Sequence, residues 1–247
     1  MKSIGFVGQM DNSGLVLCVA RLINAFGNKV IYIDATNAQR TRYTVPVILS
    51  GAKQEQYLVQ YDNVEVAVGF NNILELKKYM FSKGEDFNDF DYVLVSTDRE
   101  EMCEEYDIKN ANNIFFTSTF DKYDLNRGID LLKFICATKR REDTEAKVLV
   151  SKVLAYTQIK TADNKYIEKL AEAVPVEWNG KDIVLSYDEG DLSAYIQNQY
   201  SNKIEFKNLS QQTKDGIVEI VCRITGEEKE KVKKAVKNVE KISKFSF

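Results

Sequence analysis

Two patterns of hydrophobic positions alternate over the first two-thirds of the chain. Short apolar runs at Ser3–Val7, Lys29–Ile33, Glu65–Val68, Tyr92–Ser96, Ile114–Thr117 and Lys147–Val150 predict strands. Between them, apolar residues recur at helical spacing. In Gly14–Phe26 the residues Leu15, Val19, Leu22, Ile23 and Phe26 share one face, and further helices are expected over Asn71–Phe81, Glu100–Tyr106 and Leu125–Ala137. Strands that are apolar on both faces and separated by helices imply a parallel sheet covered on both sides. The expected fold is α/β, a mostly parallel doubly wound sheet with Ser3–Val7 central and Asp91–Ser96 near it.

The last third reads differently. Tyr166–Ala173 and Gly190–Tyr200 are expected helices and Asp182–Ser186 an expected final strand. Gln211–Ile224 and Glu227–Phe245 read as two helices joined at Gly226, a C-cap glycine. The expected organisation is an α/β domain over residues 1–205 with a C-terminal helical pair, residues 206–247, packed on it. In the last helix Val232, Val236, Val239 and Ile242 recur at helical spacing, and lysines crowd the rest of its surface. Small β-branched residues favour packing on the domain. Membrane attachment through this basic amphipathic helix is the alternative, kept open by Phe245 and Phe247.

The 247 residues carry 34 Lys+Arg against 37 Asp+Glu, a net charge of −3 with no overall pull toward nucleic acid. Arg40, Arg42 and Tyr43 form a small basic-aromatic cluster, expected to be a solvated loop. Lys139-Arg140-Arg141 suits the C-terminal dipole of the preceding helix. The chain has no histidine, which excludes Ser-His-Asp and Cys-His catalysis and His-ligated metals. Cys18, Cys103, Cys136 and Cys222 lack C-x-x-C spacing and read as reduced core residues. No signal-peptide pattern and no run of ~18 apolar residues is present, so a cytoplasmic protein is expected.

The chemistry concentrates after the first strand, at Gly8-Gln9-Met10-Asp11-Asn12-Ser13-Gly14-Leu15. A strand, a loop and a helix are where the phosphate loop G-x-x-x-x-G-K-[ST] sits. Counted from Gly8, Ser13 replaces the second glycine, Gly14 the lysine and Leu15 the hydroxyl residue. The lysine would neutralise β/γ-phosphate oxygens and the hydroxyl would hold Mg²⁺; glycine and leucine do neither. Asp11 adds a charge of the wrong sign. Asn12 or Ser13 is expected to N-cap the helix. No G-x-G-x-x-G occurs, which disfavours a dinucleotide enzyme.

Gly8 to Asp34 resembles the opening of MinD/ParA-type ATPases: strand, deviant Walker A loop, helix, Gly27-Asn28-Lys29-Val30, apolar strand and Asp34. The resemblance places Gln9 at that family's signature lysine and Asp34 at the acid that arranges Mg²⁺ and water. Asp91–Asp98 resembles the Walker B strand, with Ser96 at the carboxylate position and Asp98 two residues late. Ile114–Thr119 and Phe120–Leu125 look like the fifth strand and following helix. Ser186–Asp191 and Asn198-Gln199-Tyr200 resemble the TadZ/CpaE-like branch, associated with pilus and secretion machinery. The resemblance implies a P-loop NTPase-like fold. With the lysines and the Walker B acid missing, the expectation is a non-catalytic localisation or assembly scaffold with protein partners, a homodimer, and a cytoplasmic or pole-associated location. ATP binding is expected to be absent or weak, with Gly8, Gln9, Asp11, Asn12, Ser13, Gly14, Leu15 and Asp34 as the degenerate loop set. The alternative is a nucleotide-switched ATPase with an atypical loop.

Overall fold

The computed structural model describes residues 1–46, 56–140, 147–156, 164–186 and 188–242. Its centre is a sheet of the strands β1 (Lys2–Val7), β2 (Val30–Asp34), β3 (Tyr57–Tyr61), β4 (Val64–Val68), β5 (Tyr92–Thr97), β6 (Asn113–Ser118), β7 (Val148–Tyr156), β8 (Val176–Trp178) and β9 (Ile183–Ser186). The order is β3-β4-β2-β5-β1-β6-β7-β8, and β9 also pairs with β7. Every pairing is parallel except β3 with β4. The expected mostly parallel sheet is present, and β1 lies between β5 and β6 as a central strand.

Alternation along each strand divides the core into two layers. On one face Ile4 and Phe6 of β1 and Val30 and Tyr32 of β2 meet α1 (Ser13–Asn24), α7 (Gln211–Thr225) and α8 (Lys229–Ile242). On the other, Ile31, Ile33, Val93 and Val95 meet α2 (Ile73–Ser82), α3 (Glu100–Glu105), α4 (Lys122–Arg140) and α5 (Asn164–Leu170). Gly226, with φ 76°, ends α7 in the left-handed region as its position suggests. Val232, Val236 and Val239 of α8 are buried in the same cluster as α1.

Three strand features lie beyond the sequence expectation. β3 is a strand whose partner β4 follows an Asp62-Asn63 turn, both residues having positive φ as a two-residue hairpin requires. β8 is a short edge segment. β7 runs past Val150 through the polar Ser151 and Lys152, which break the apolar run. Buried Lys152 is neutralised by Asp182 at 2.9 Å and Glu168 at 3.2 Å, and its ammonium lies 5.0 Å from the Trp178 ring centroid.

The four cysteines are free thiols, and Cys18, Cys103 and Cys136 are buried. Burial pushes the Cys103 thiol up to about 12 and the Cys18 thiol further still, which leaves them inert. Among the described residues no helix is long and apolar enough to cross a membrane. The side chains of Lys139-Arg140-Arg141 lie outside the described residues, as do residues 243–247, including Phe245 and Phe247.

Candidate functional site

The β1–α1 loop lies at the carboxyl edge of the parallel strands, the side on which open α/β sheets hold ligands. Gly8 starts it with φ 147°, and a Cβ there would stand 1.9 Å from the Thr117 carbonyl oxygen, so only glycine fits. Gln9 donates from its side-chain amide to the Asp98 carbonyl at 3.1 Å and is tied within the chain. Asn12 does not cap α1 with its side chain, contrary to expectation. Its amide is instead drawn into the sheet edge, where it donates to the Thr117 hydroxyl at 3.0 Å. Ser13 does not act as the cap either, because it is the first residue of α1.

The anion at this helix start is supplied from within. Asp11 accepts hydrogen bonds from the Ser13 backbone N–H at 3.1 Å and the Ser13 hydroxyl at 2.7 Å. A loop that binds phosphate offers such N–H groups to its ligand. Arg40, at the start of the 3-10 turn Arg40–Tyr43, completes the arrangement by pairing with Asp11 at 3.3 Å. The expected solvated cluster is therefore tied to the loop through Arg40, while Tyr43 remains exposed.

The acids on neighbouring strands are similarly occupied. Asp34 is buried and accepts from the Thr36 N–H at 3.2 Å, the Thr36 hydroxyl at 2.6 Å and the Thr41 N–H at 3.0 Å, which fixes the turn after β2. Asp98 accepts from the Asn37 N–H at 2.8 Å, and burial raises its pKa. Ser96, at the Walker B position, is fully buried and takes a hydrogen bond from the Tyr32 hydroxyl at 3.3 Å. Gly8, Gln9, Asp11, Asn12, Ser13, Asp34 and Asp98 do line one small cavity of about 140 Å³. Its charge is predominantly negative, the reverse of what a polyphosphate needs.

The side of the loop facing α6 (Glu189–Ser201) holds the feature that sequence reasoning missed. A Cβ on Gly14 would lie 2.6 Å from Tyr195 Cδ1 and 2.8 Å from Cγ. The position that carries lysine in a phosphate loop is covered by an aromatic ring from the C-terminal third. Gly14 is glycine because Tyr195 lies on it. Beside this contact opens a cavity of about 540 Å³ that also takes in Leu15, Thr119, Asp124, Leu185 and Asp188. Asp191 closes its base by accepting from the Ser210 and Thr213 hydroxyls, which joins α6 to α7. Only the tyrosine at helical spacing and the glycine in a lysine position hinted at the contact, and nothing in the sequence connects them.

The strand order and the loop after β1 define a P-loop NTPase-like architecture. More particularly, the fold is that of MinD/ParA-type ATPases. MinD in the MinC:MinD cell division complex of Aquifex aeolicus superposes with TM-score 0.58 at 11% identity, covering 92% of this chain and 97% of that one. A ParA family ATPase from Chlorobium tepidum gives 0.54 at 12% identity over 99% of both chains. A plasmid partition protein from Borrelia burgdorferi bound to AMPPNP gives 0.52 at 14%, covering 90% and 99%. No family model matches the sequence, and no curated protein does.

Proposed function

We propose that the chain is a non-catalytic protein of MinD/ParA type that acts as a localisation or assembly scaffold through protein–protein contacts. The observation that carries this reading is Tyr195 packed on Gly14, which removes the room as well as the residue for a phosphate-binding ammonium. Phosphoryl transfer depends on positioning and charge neutralisation. Without the lysine, the Mg²⁺-ligating hydroxyl and the Walker B carboxylate, the barrier rises by several times the ~1.4 kcal/mol that each tenfold in rate represents. The similar MinD is described in complex with a protein partner, MinC, which supports a partner-binding role here. The reading extends to a homodimer formed without nucleotide, because Gln9 supplies no charge for a partner's nucleotide. It also extends to service at a pole or at a pilus, secretion or partition machine.

The test is isothermal titration with ATP and Mg²⁺, run beside phosphate release and light scattering. The expected result is no saturable heat, no release above a protein-free blank, and an unchanged dimer mass with and without ATP. Magnesium-dependent turnover that disappears in Asp34→Ala would overturn the reading in favour of the nucleotide-switched ATPase.

A further inference from the structure

The 540 Å³ cavity beside Gly14 has a chemistry of its own. Its lining carries four carboxylates, Asp11, Asp124, Asp188 and Asp191, against one guanidinium, Arg40. Arg40 is taken up by Asp11, and Asp191 is buried and spent on Ser210 and Thr213. That leaves Asp124 and Asp188. Asp188 is exposed at the start of α6 and accepts from the Ser186 hydroxyl and the Asp191 N–H. Asp124 accepts from the Thr119 hydroxyl. Among the described residues no cation pairs with either of them, so the described lining of the mouth carries a net negative charge.

An apolar surface continues out of this mouth. Leu192 and Ile196 line the cavity and are 58% and 44% exposed, and Tyr200, one helical turn further along α6, is 84% exposed. Residues spaced by four form one stripe on a helix. Inside, the Tyr195 hydroxyl is buried and has no hydrogen-bond partner among the described residues. A buried hydroxyl left without a partner is destabilising.

We propose that this cavity and the α6 stripe form a docking site for a basic amphipathic segment of a protein partner. The proposal rests on the non-catalytic reading and names the partner's chemistry. Apolar side chains of the segment lie along Leu192, Ile196 and Tyr200, and a lysine or arginine enters between Asp124 and Asp188. Charge complementarity selects a cation, and the stripe outside the cavity selects a segment over a small ligand. A nucleotide would meet the same carboxylates with like charge.

The probe is a fluorescein-labelled amphipathic peptide of leucine and lysine, followed by anisotropy with the full chain. Its leucine/glutamate counterpart is the control. The lysine peptide is expected to bind saturably and to weaken with salt, and the glutamate peptide is expected not to bind. Asp124→Asn with Asp188→Asn weakens binding about tenfold while keeping the α6 cap, since asparagine caps as well as aspartate. Leu192→Ser with Ile196→Ser weakens it by about as much. Leu74→Ser with Phe81→Ser, exposed on α2 across the sheet, leaves it unchanged. Equal binding of both peptides, or equal loss from the α2 pair, overturns the proposal. So does binding of spermidine that matches the peptide and ignores Leu192 and Ile196, which makes this a small-cation site. Self-association abolished by Leu192→Ser with Ile196→Ser assigns the stripe to a second copy and also overturns it. Displacement of the bound peptide by Mg-ATP supports the docking site and sinks the nucleotide-free reading. A peptide that fails to bind, with no response to ATP, removes the docking proposal alone.

Discussion

Tyr195 lies against Gly14 so closely that a Cβ at position 14 would stand 2.6 Å from its ring. Restoring the phosphate-loop lysine by Gly14→Lys therefore overpacks the α1–α6 contact, at an expected loss of about 1–3 kcal/mol. Tyr195→Ala empties the site and also destabilises. The double variant should lose less than the sum of the two, with a coupling of about 1 kcal/mol or more. Urea denaturation of the four proteins measures the cycle, and additive losses would show that the two residues do not compete for space.

Gly8→Ala is expected to be more damaging. The added carbon meets the Thr117 carbonyl at 1.9 Å in a backbone conformation with φ 147°. Both faults act on the junction of β1 and β6, so a loss above about 3 kcal/mol is expected. Circular dichroism of the purified variant, with its thermal midpoint, is the check.

Asp34 is expected to act as a turn-fixing residue. Its carboxylate accepts from Thr36 and Thr41, so Asp34→Ala leaves buried donors unpaired and costs about 1–3 kcal/mol. The midpoint of the native protein should not respond to Mg²⁺. A magnesium-induced rise that Asp34→Ala abolishes would reinstate the acid as a metal ligand.

Glu65 gives the fold a pH dependence. Burial, then repulsion from Glu85, raises its pKa from 4.5 to about 7. A raised acid binds its proton more tightly in the folded state, so stability is greatest at low pH in this window. It declines as pH rises from about 4.5 to about 7 and is level beyond. Glu65→Gln should remove that slope and stabilise the protein at pH 8 by about 1 kcal/mol, allowing for the partial exposure of the site. Urea midpoints of both proteins at pH 5 and pH 8 decide it.

Val232 is fully buried, and its helix packs its apolar face on α1 and α7. Val232→Ala should cost about 2 kcal/mol. The wild-type chain should stay off anionic vesicles in flotation, because the face a membrane would need is already covered. Flotation lost on truncation after Gly226 would favour the membrane instead.

The parts of the fold that local periodicity encodes were legible. Leu15, Val19, Leu22 and Ile23 mark the α1 face, and the apolar runs mark β1, β2 and β5. Strand β3 was missed because Tyr57–Tyr61 alternates buried residues with half-buried or exposed ones and does not form an apolar run. The end of β7 was missed because Lys152 reads as a surface residue until Asp182 and Glu168 are brought beside it. The loop composition showed which phosphate-binding groups were absent. It could not show what replaced them: Asp11 turning back on Ser13, Asn12 held by Thr117, and Tyr195 arriving on Gly14 from α6. Each depends on a contact that only the folded chain makes, and helical or strand spacing carries no record of it.

Helix α1 is made well before α7 and α8, yet these two cover much of its apolar face. At about 5–20 residues per second, roughly 10–40 s separate the appearance of Leu15, Val19 and Leu22 from that of Ile220 and Val232. Through that interval the nascent chain displays an oily helix covered by the sheet but not by α7 and α8, so its yield in a cell depends on what shields that side of the helix until α8 arrives.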